Sequence, residues 1–112
     1  MKFYLIDYDN KSYTLHIGES AVENWSMLYR AKQWYHFFHL SSFPSGYGLL
    51  ECDKGEEVPK HVLKQCAGYV IKNTKYRDMR NLKVDCTVYG NVKRGDRVGQ
   101  AIYKKTRDII IL

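Results

Sequence analysis

The chain has little of what would break a fold or staple it. Two prolines and eight glycines in 112 residues leave no low-complexity segment, and no internal repeat is visible, which excludes a disordered or fibrous chain. Cys52, Cys66 and Cys86 are odd in number and widely spaced, with no CxxC pair and no CxxC…HxxxH arrangement, so neither a disulfide framework nor a zinc site is expected. Cys66 and Cys86 lie in apolar patterns, VLKQCAGYV and VDCTVY, and read as small buried thiols of a reducing compartment. No uninterrupted apolar run approaches the length of a membrane span, and MKFYLIDYDN meets acidic residues after four apolar ones, too few for a signal-peptide core. An intracellular, cytoplasmic location is therefore expected. GxxxxGK[ST] and GxSxG are both missing, so neither a phosphate-cradling P-loop nor a serine-hydrolase elbow is encoded.

Positive charge is present and unevenly spread. The net charge is +6, and residues 1–71 hold seven Lys/Arg against eight Asp/Glu, whereas residues 72–112 hold eleven against four. A field of that asymmetry attracts polyanions, nucleic acid ahead of an anionic membrane or an acidic protein.

The length suits one domain, residues 1–112. Lys2–Asp7 and Ser12–Ile17 read as a β-hairpin around Tyr8-Asp9-Asn10-Lys11. From Ser20, SAVENWSMLYRAK carries a serine cap with Glu23 three positions on, and Val22, Trp25, Leu28 and Tyr29 fall at helical spacing. Tyr35–Leu40 and Tyr47–Cys52 read as strands around a turn through Pro44 and Gly46. Pro59 opens a second helix with the apolar stripe Val62, Leu63, Cys66, Tyr69 and Val70, ending near Asn73. Leu82–Tyr89 alternates as a half-buried strand, and Gln100–Lys104 and Asp108–Leu112 flank the polar turn Lys105-Thr106-Arg107. The order β-β-α-β-β-α-β-β-β predicts an α+β fold, a mainly antiparallel sheet of about seven short strands with two helices. The apolar last strand leaves the oligomeric state open.

Two stretches carry candidate chemistry. WYHFFHLSSFPSGYG, Trp34–Gly48, packs six aromatic rings and two histidines around a small-residue turn. On a strand, His36 and His39 point to opposite faces and cannot chelate one metal. His39 stands beside Ser42, Ser45 and Tyr47, whose hydroxyls suit phosphate and ribose contact. The second stretch, Tyr89–Arg97, ends a strand in a glycine-flanked loop with Asn91, Lys93, Arg94 and Arg97, donors suited to phosphate. Lys72–Arg80 adds cations interleaved with Tyr76.

In order along nearly the whole chain, five short patterns accumulate. They are Tyr13–Gly18 with Glu23-Asn24, then Phe37-Phe38-His39-Leu40 before a serine-rich turn, then Pro59-Lys60 with Cys66-Ala67. Val84–Thr87 with Asn91-Val92-Lys93-Arg94 follows, and Val98-Gly99-Gln100 comes last. Together they resemble the NFACT-R domain, the RNA-binding domain of the NEMF, RqcH and FbpA ribosome-quality-control proteins and of short coiled-coil-containing relatives. The chain departs from that pattern with Phe37 at the family's tryptophan, Ser41 at a charged position, Gly46-Tyr47 at a histidine-containing pair, and no charged coiled-coil tail.

The resemblance implies a non-catalytic module that binds tRNA or other structured RNA, with ribosome-associated or protein partners and no cofactor. Lys93, Arg94 and Arg97 would contact phosphate, Asn91 and Ser42 would bond sugar or backbone, and Tyr47 or His39 would meet a base. His39, the serine turn and Tyr47 would form one surface with the Asn91–Arg97 loop. A DNA-binding module, an RNA-processing enzyme using His39 as general base, and a protein-interaction domain are the alternatives the residues leave open.

Overall fold

The computed structural model describes residues 1–98 and 100–112; Gly99 of the Val98-Gly99-Gln100 pattern lies outside the described residues. Strands β1 (Lys2–Tyr8) and β2 (Lys11–Ile17) make a hairpin whose turn residues Asp9 and Asn10 both take positive φ, 48° and 65°. Asp and Asn tolerate that region, and two such residues in succession match the right-handed twist of the flanking strands. Helix α1 (Ala21–Arg30) is capped as expected: the Ser20 hydroxyl accepts from the Glu23 N–H at 3.1 Å. The return arm differs from a capping box, since the Glu23 carboxylate accepts from the Glu19 N–H at 2.8 Å.

Strands β3 (His36–Leu40) and β4 (Gly48–Leu50) enclose the serine turn. Helix α2 (Lys60–Lys72) follows Pro59, and β5 (Lys83–Val88) runs into a 3₁₀ turn at Tyr89–Asn91. Then come β6 (Val92–Arg94), β7 (Ala101–Tyr103) and β8 (Asp108–Ile111). Six strands form one antiparallel sheet in the order β1-β2-β4-β3-β5-β8, and β6-β7 is a separate two-stranded ribbon. The fold is α+β, with eight strands among the described residues rather than about seven. The extra one, β6, is three residues long and lies in the stretch read as a loop; its strand character comes from pairing Val92 with Tyr103, a contact local propensity cannot announce.

Both faces of the sheet are covered. On one, α2 brings Val62, Cys66, Ala67 and Val70 onto Leu15, Ile17, Phe38, Leu40, Leu50 and Val84. On the other, Phe37, Leu28 of α1, Tyr47 and Val92 make a smaller cluster lined by Trp25, Tyr89, Ala101 and Tyr103. Adjacent Phe37 and Phe38 are thus each fully buried, on opposite faces. Burial raises the Cys66 and Cys86 thiols, that of Cys86 to about 12.

Helix α1 is rotated from the expected stripe. It buries Asn24, Met27 and Leu28, while Val22 and Tyr29 are 70% and 72% exposed. The rotation follows from Asn24, whose side-chain oxygen accepts from the Tyr47 N–H at 3.1 Å and so belongs inside despite being polar.

Register fixes what stands at each end of the sheet. The β1-β2 turn lies at one end with Glu51 and Asp53, where Lys11 Nζ meets Glu56 at 2.6 Å and Asp53 at 3.2 Å. At the other end lie Lys2, Gly18, the serine turn, Lys83 and the end of α2, where Lys2 Nζ donates to Asn73 at 3.1 Å. Glu56 also accepts from the buried Tyr13 hydroxyl at 2.6 Å, and the Lys11 ammonium, then Tyr13, hold its carboxyl down at about 2. Its unfolded value is about 4.3. A depressed carboxyl stabilises fully above the unfolded value and loses that contribution as pH falls through the folded one. Urea midpoints should accordingly fall between about pH 4.3 and 2, and Glu56→Gln should flatten that decline; an unchanged profile in the variant would refute the assignment.

Candidate nucleic-acid interface

The β3-β5 register sets His39 opposite Asp85, both on the face covered by the β6-β7 ribbon. Asp85 is 3% exposed, although strand alternation had placed it on the solvent side. Its carboxylate accepts from the Ser41 hydroxyl at 2.7 Å and the Tyr103 hydroxyl at 2.9 Å, and pairs with Arg107 Nε at 3.0 Å. One buried acid therefore ties the serine turn, the ribbon and the segment entering β8 together. Burial raises the Tyr103 phenol, and the hydrogen bond to Asp85 adds to the shift.

Around this point the sequence-predicted residues take different positions. His39 is half-buried, with its ring edge-on to Tyr47 at 5.3 Å; burial lowers its pKa, and the Asp85 charge opposes that. Tyr47 is only 3% exposed and packs on Phe37 at 4.9 Å, and burial pushes its phenol up to about 12. Its ring is a wall of the second cluster rather than an open stacking surface. The Ser45 hydroxyl accepts from the Leu40 N–H at 3.1 Å and donates to the Gly46 carbonyl at 3.0 Å, closing the turn. Ser42 is exposed. The serine turn is packed through Phe43, which stacks on Tyr76 at 4.4 Å, against the basic segment after α2.

The Asn91 side chain is engaged within the protein. Its amide donates to Thr87 Oγ1 and to the Lys105 and Thr106 carbonyls at 3.1, 3.2 and 3.0 Å, and its oxygen accepts from the Lys105 N–H at 2.6 Å. The residue shapes the turn that delivers Arg107. Lys93 and Arg97 are exposed and, among the described residues, make no ion pair. Arg94 lies over the Tyr29 ring at 4.2 Å and the Trp25 ring at 5.2 Å and donates to the Tyr29 hydroxyl. Trp25 in turn donates from Nε1 to the Gln100 carbonyl at 3.3 Å, locking α1 to the ribbon.

The ribbon cations and the serine turn are thus joined through Asp85, and beside the ribbon Trp25, half-buried, and Tyr29, exposed, form an aromatic shelf under Arg94. Sequence reading missed this shelf because Val22, Trp25 and Tyr29 share helical spacing with the buried Leu28. The one signal was Asn24: burying it turns Val22 and Tyr29 outward and leaves Trp25 half-buried at the edge of the second cluster.

No family model matches the chain. It is similar to coiled-coil domain-containing protein 25 of Mus musculus and of Bos taurus, 30% identical over 110 residues in each case and covering 93% of this chain. The chain spans about half the length of these relatives, 53%. Its fold matches the C-terminal part of the fibronectin/fibrinogen-binding protein from Streptococcus suis with a TM-score of 0.83 at 16% identity, over 96% of this chain and 43% of that one.

Among the described residues, no helix is long and apolar enough to cross a membrane, and no group of three or more His, Cys, Asp or Glu side chains could hold a metal ion.

Proposed function

We propose that this chain is an NFACT-R-type, non-catalytic nucleic-acid-binding module whose ligand is tRNA or another structured RNA. The observation that carries the reading is Arg94 laid across the exposed Tyr29 ring and the half-buried Trp25 ring, with Lys93 and Arg97, which make no ion pair among the described residues, beside it. Aromatic faces accept a stacked base and cations neutralise the adjoining phosphates, a combination that serves nucleic acid better than a carboxylate-rich protein. Held by Trp25 and Asp85, the ribbon presents these groups without ordering a loose loop on binding.

The test is a titration of fluorescent tRNA, single-stranded RNA and duplex DNA of matched length at several salt concentrations. Each phosphate contact contributes about 0.7 to 0.9 to the slope of log affinity against log salt, so Lys93→Ala/Arg94→Ala should reduce the tRNA slope by about 1.5. Tyr29→Ala should weaken binding by about 1 to 3 kcal/mol while leaving the slope nearly unchanged. Tighter binding to duplex DNA would reassign the ligand to DNA. Equal weak binding to all three, untouched by the substitutions, would sink the reading in favour of a protein partner.

A further inference from the structure

A second cationic surface lies at the sheet end where β1 starts and α2 stops. Lys2, Glu19, Lys72, Asn73, Lys75 and Arg77 line an open cleft of about 430 Å³ there, and none of them belongs to the α1-ribbon surface. Lys2 is already engaged, with Asn73 at 3.1 Å and Glu19 at 3.7 Å. Lys72, Lys75 and Arg77 make no ion pair among the described residues. Lys72 and Lys75 rest over the Tyr69 and Tyr76 rings at 5.8 and 5.5 Å, and among the described residues Arg77 has no such neighbour. The helix dipole accounts for a cation at Lys72, in the last turn, but not for Lys75 and Arg77, which lie beyond it.

The backbone of the segment is held by hydrogen bonds and one ring stack. Thr74, 7% exposed, bonds through both N–H and hydroxyl to the Ile71 carbonyl at 2.9 and 2.8 Å. Its hydroxyl also accepts from the Tyr76 N–H at 3.2 Å, and Tyr76 is pinned by its stack on Phe43. The backbone that carries Lys75 and Arg77 is therefore held in place beside the end of α2, and with Lys72 these cations surround a polar opening at the end of the sheet opposite the acidic β1-β2 turn. Two point-charge ammoniums and one forked guanidinium suit a ligand with several anionic oxygens on more than one centre, which is phosphate chemistry.

We infer that this cleft binds a phosphate-bearing polyanion, supplied either by the backbone of a bound nucleic acid or by a free polyphosphate. Inorganic tripolyphosphate should saturably shift the backbone amide resonances of Asn73–Arg77 and leave those of Lys93–Arg97 in place. Lys75→Ala/Arg77→Ala, which changes only exposed side chains, should weaken that binding at least about tenfold. Should the same variant also lower the tRNA salt slope by about 1.5, the source is nucleic-acid backbone. If tripolyphosphate binding is lost and tRNA binding is not, the source is a free polyphosphate. No saturable shift, or a shift unaffected by the variant, overturns the inference. Because the amides are read one by one, failure of the Lys93/Arg94 test would leave this result standing.

Discussion

Asp85→Ala is expected to destabilise the protein by about 2 to 4 kcal/mol at neutral pH and to weaken tRNA binding as well. The variant leaves the Tyr103 hydroxyl in a half-buried site and the Ser41 hydroxyl beside it without their acceptor, and it strands Arg107. The cost falls short of that for a wholly buried ion pair because the Arg107 side chain is 39% exposed and can turn to water. Loss of binding would follow from loss of geometry: the same carboxylate fixes the ribbon that carries Lys93 and Arg94. Asp85→Asn keeps one acceptor oxygen and should recover part of both effects. Urea midpoints at constant m measure the first effect, and tRNA titration of the still-folded variant measures the second. A change under about 0.5 kcal/mol in Asp85→Ala would show that the three partners do not depend on it.

The second large effect is expected at Gly46. A Cβ there would stand 1.8 Å from the Gly18 carbonyl oxygen, a backbone atom that cannot swing aside. Gly18 is itself held by its N–H bond to the Tyr47 carbonyl at 3.0 Å, so the two passages cross in fixed contact. Gly46→Ala must separate them, straining that bond and the Asn24–Tyr47 bond beside it, at about 2 to 4 kcal/mol. Thermal unfolding would show it as a fall in Tm of well over 5 °C, on the order expected for a domain of this size. A near-wild-type Tm would mean that the crossing is loose. At this crossing Gly46 meets Gly18 with no side chain between them, and Tyr47 fills the cluster between Phe37 and His39.

What the sequence made legible follows from the range of each signal. The β1-β2 hairpin, the Ser20 cap, α2 after Pro59 and the existence of β5 are written in neighbouring residues, and all were readable, whereas the in-and-out alternation expected for β5 fails at Asp85, which is buried, and at Val88, which is exposed. The face of α1, strand β6 and the burial of Asp85 depend on what packs across the sheet, and local periodicity is silent about that. Of the candidate site, Lys93, Arg94 and Arg97 were read as exposed cations and are so placed. Asn91 and Tyr47 had the right chemistry for a ligand, but the protein turns that chemistry inward. Trp25 and Tyr29 went unread because an aromatic at helical spacing beside a core leucine looks like core.

The antiparallel register described above also makes the molecule an electric dipole. Asp7, Asp9, Glu51, Asp53 and Glu56 gather at the end holding the β1-β2 turn, and Lys2, Lys72, Lys75, Arg77 and Lys83 at the other. A polyanion arriving by diffusion would feel a torque before it feels any contact, turning the cationic end forward over roughly the 10 Å that salt leaves unscreened. For the proposed polyanion ligand, orientation in flight would shorten the search for a productive encounter, so that strand order would act on the speed of association as well as on shape.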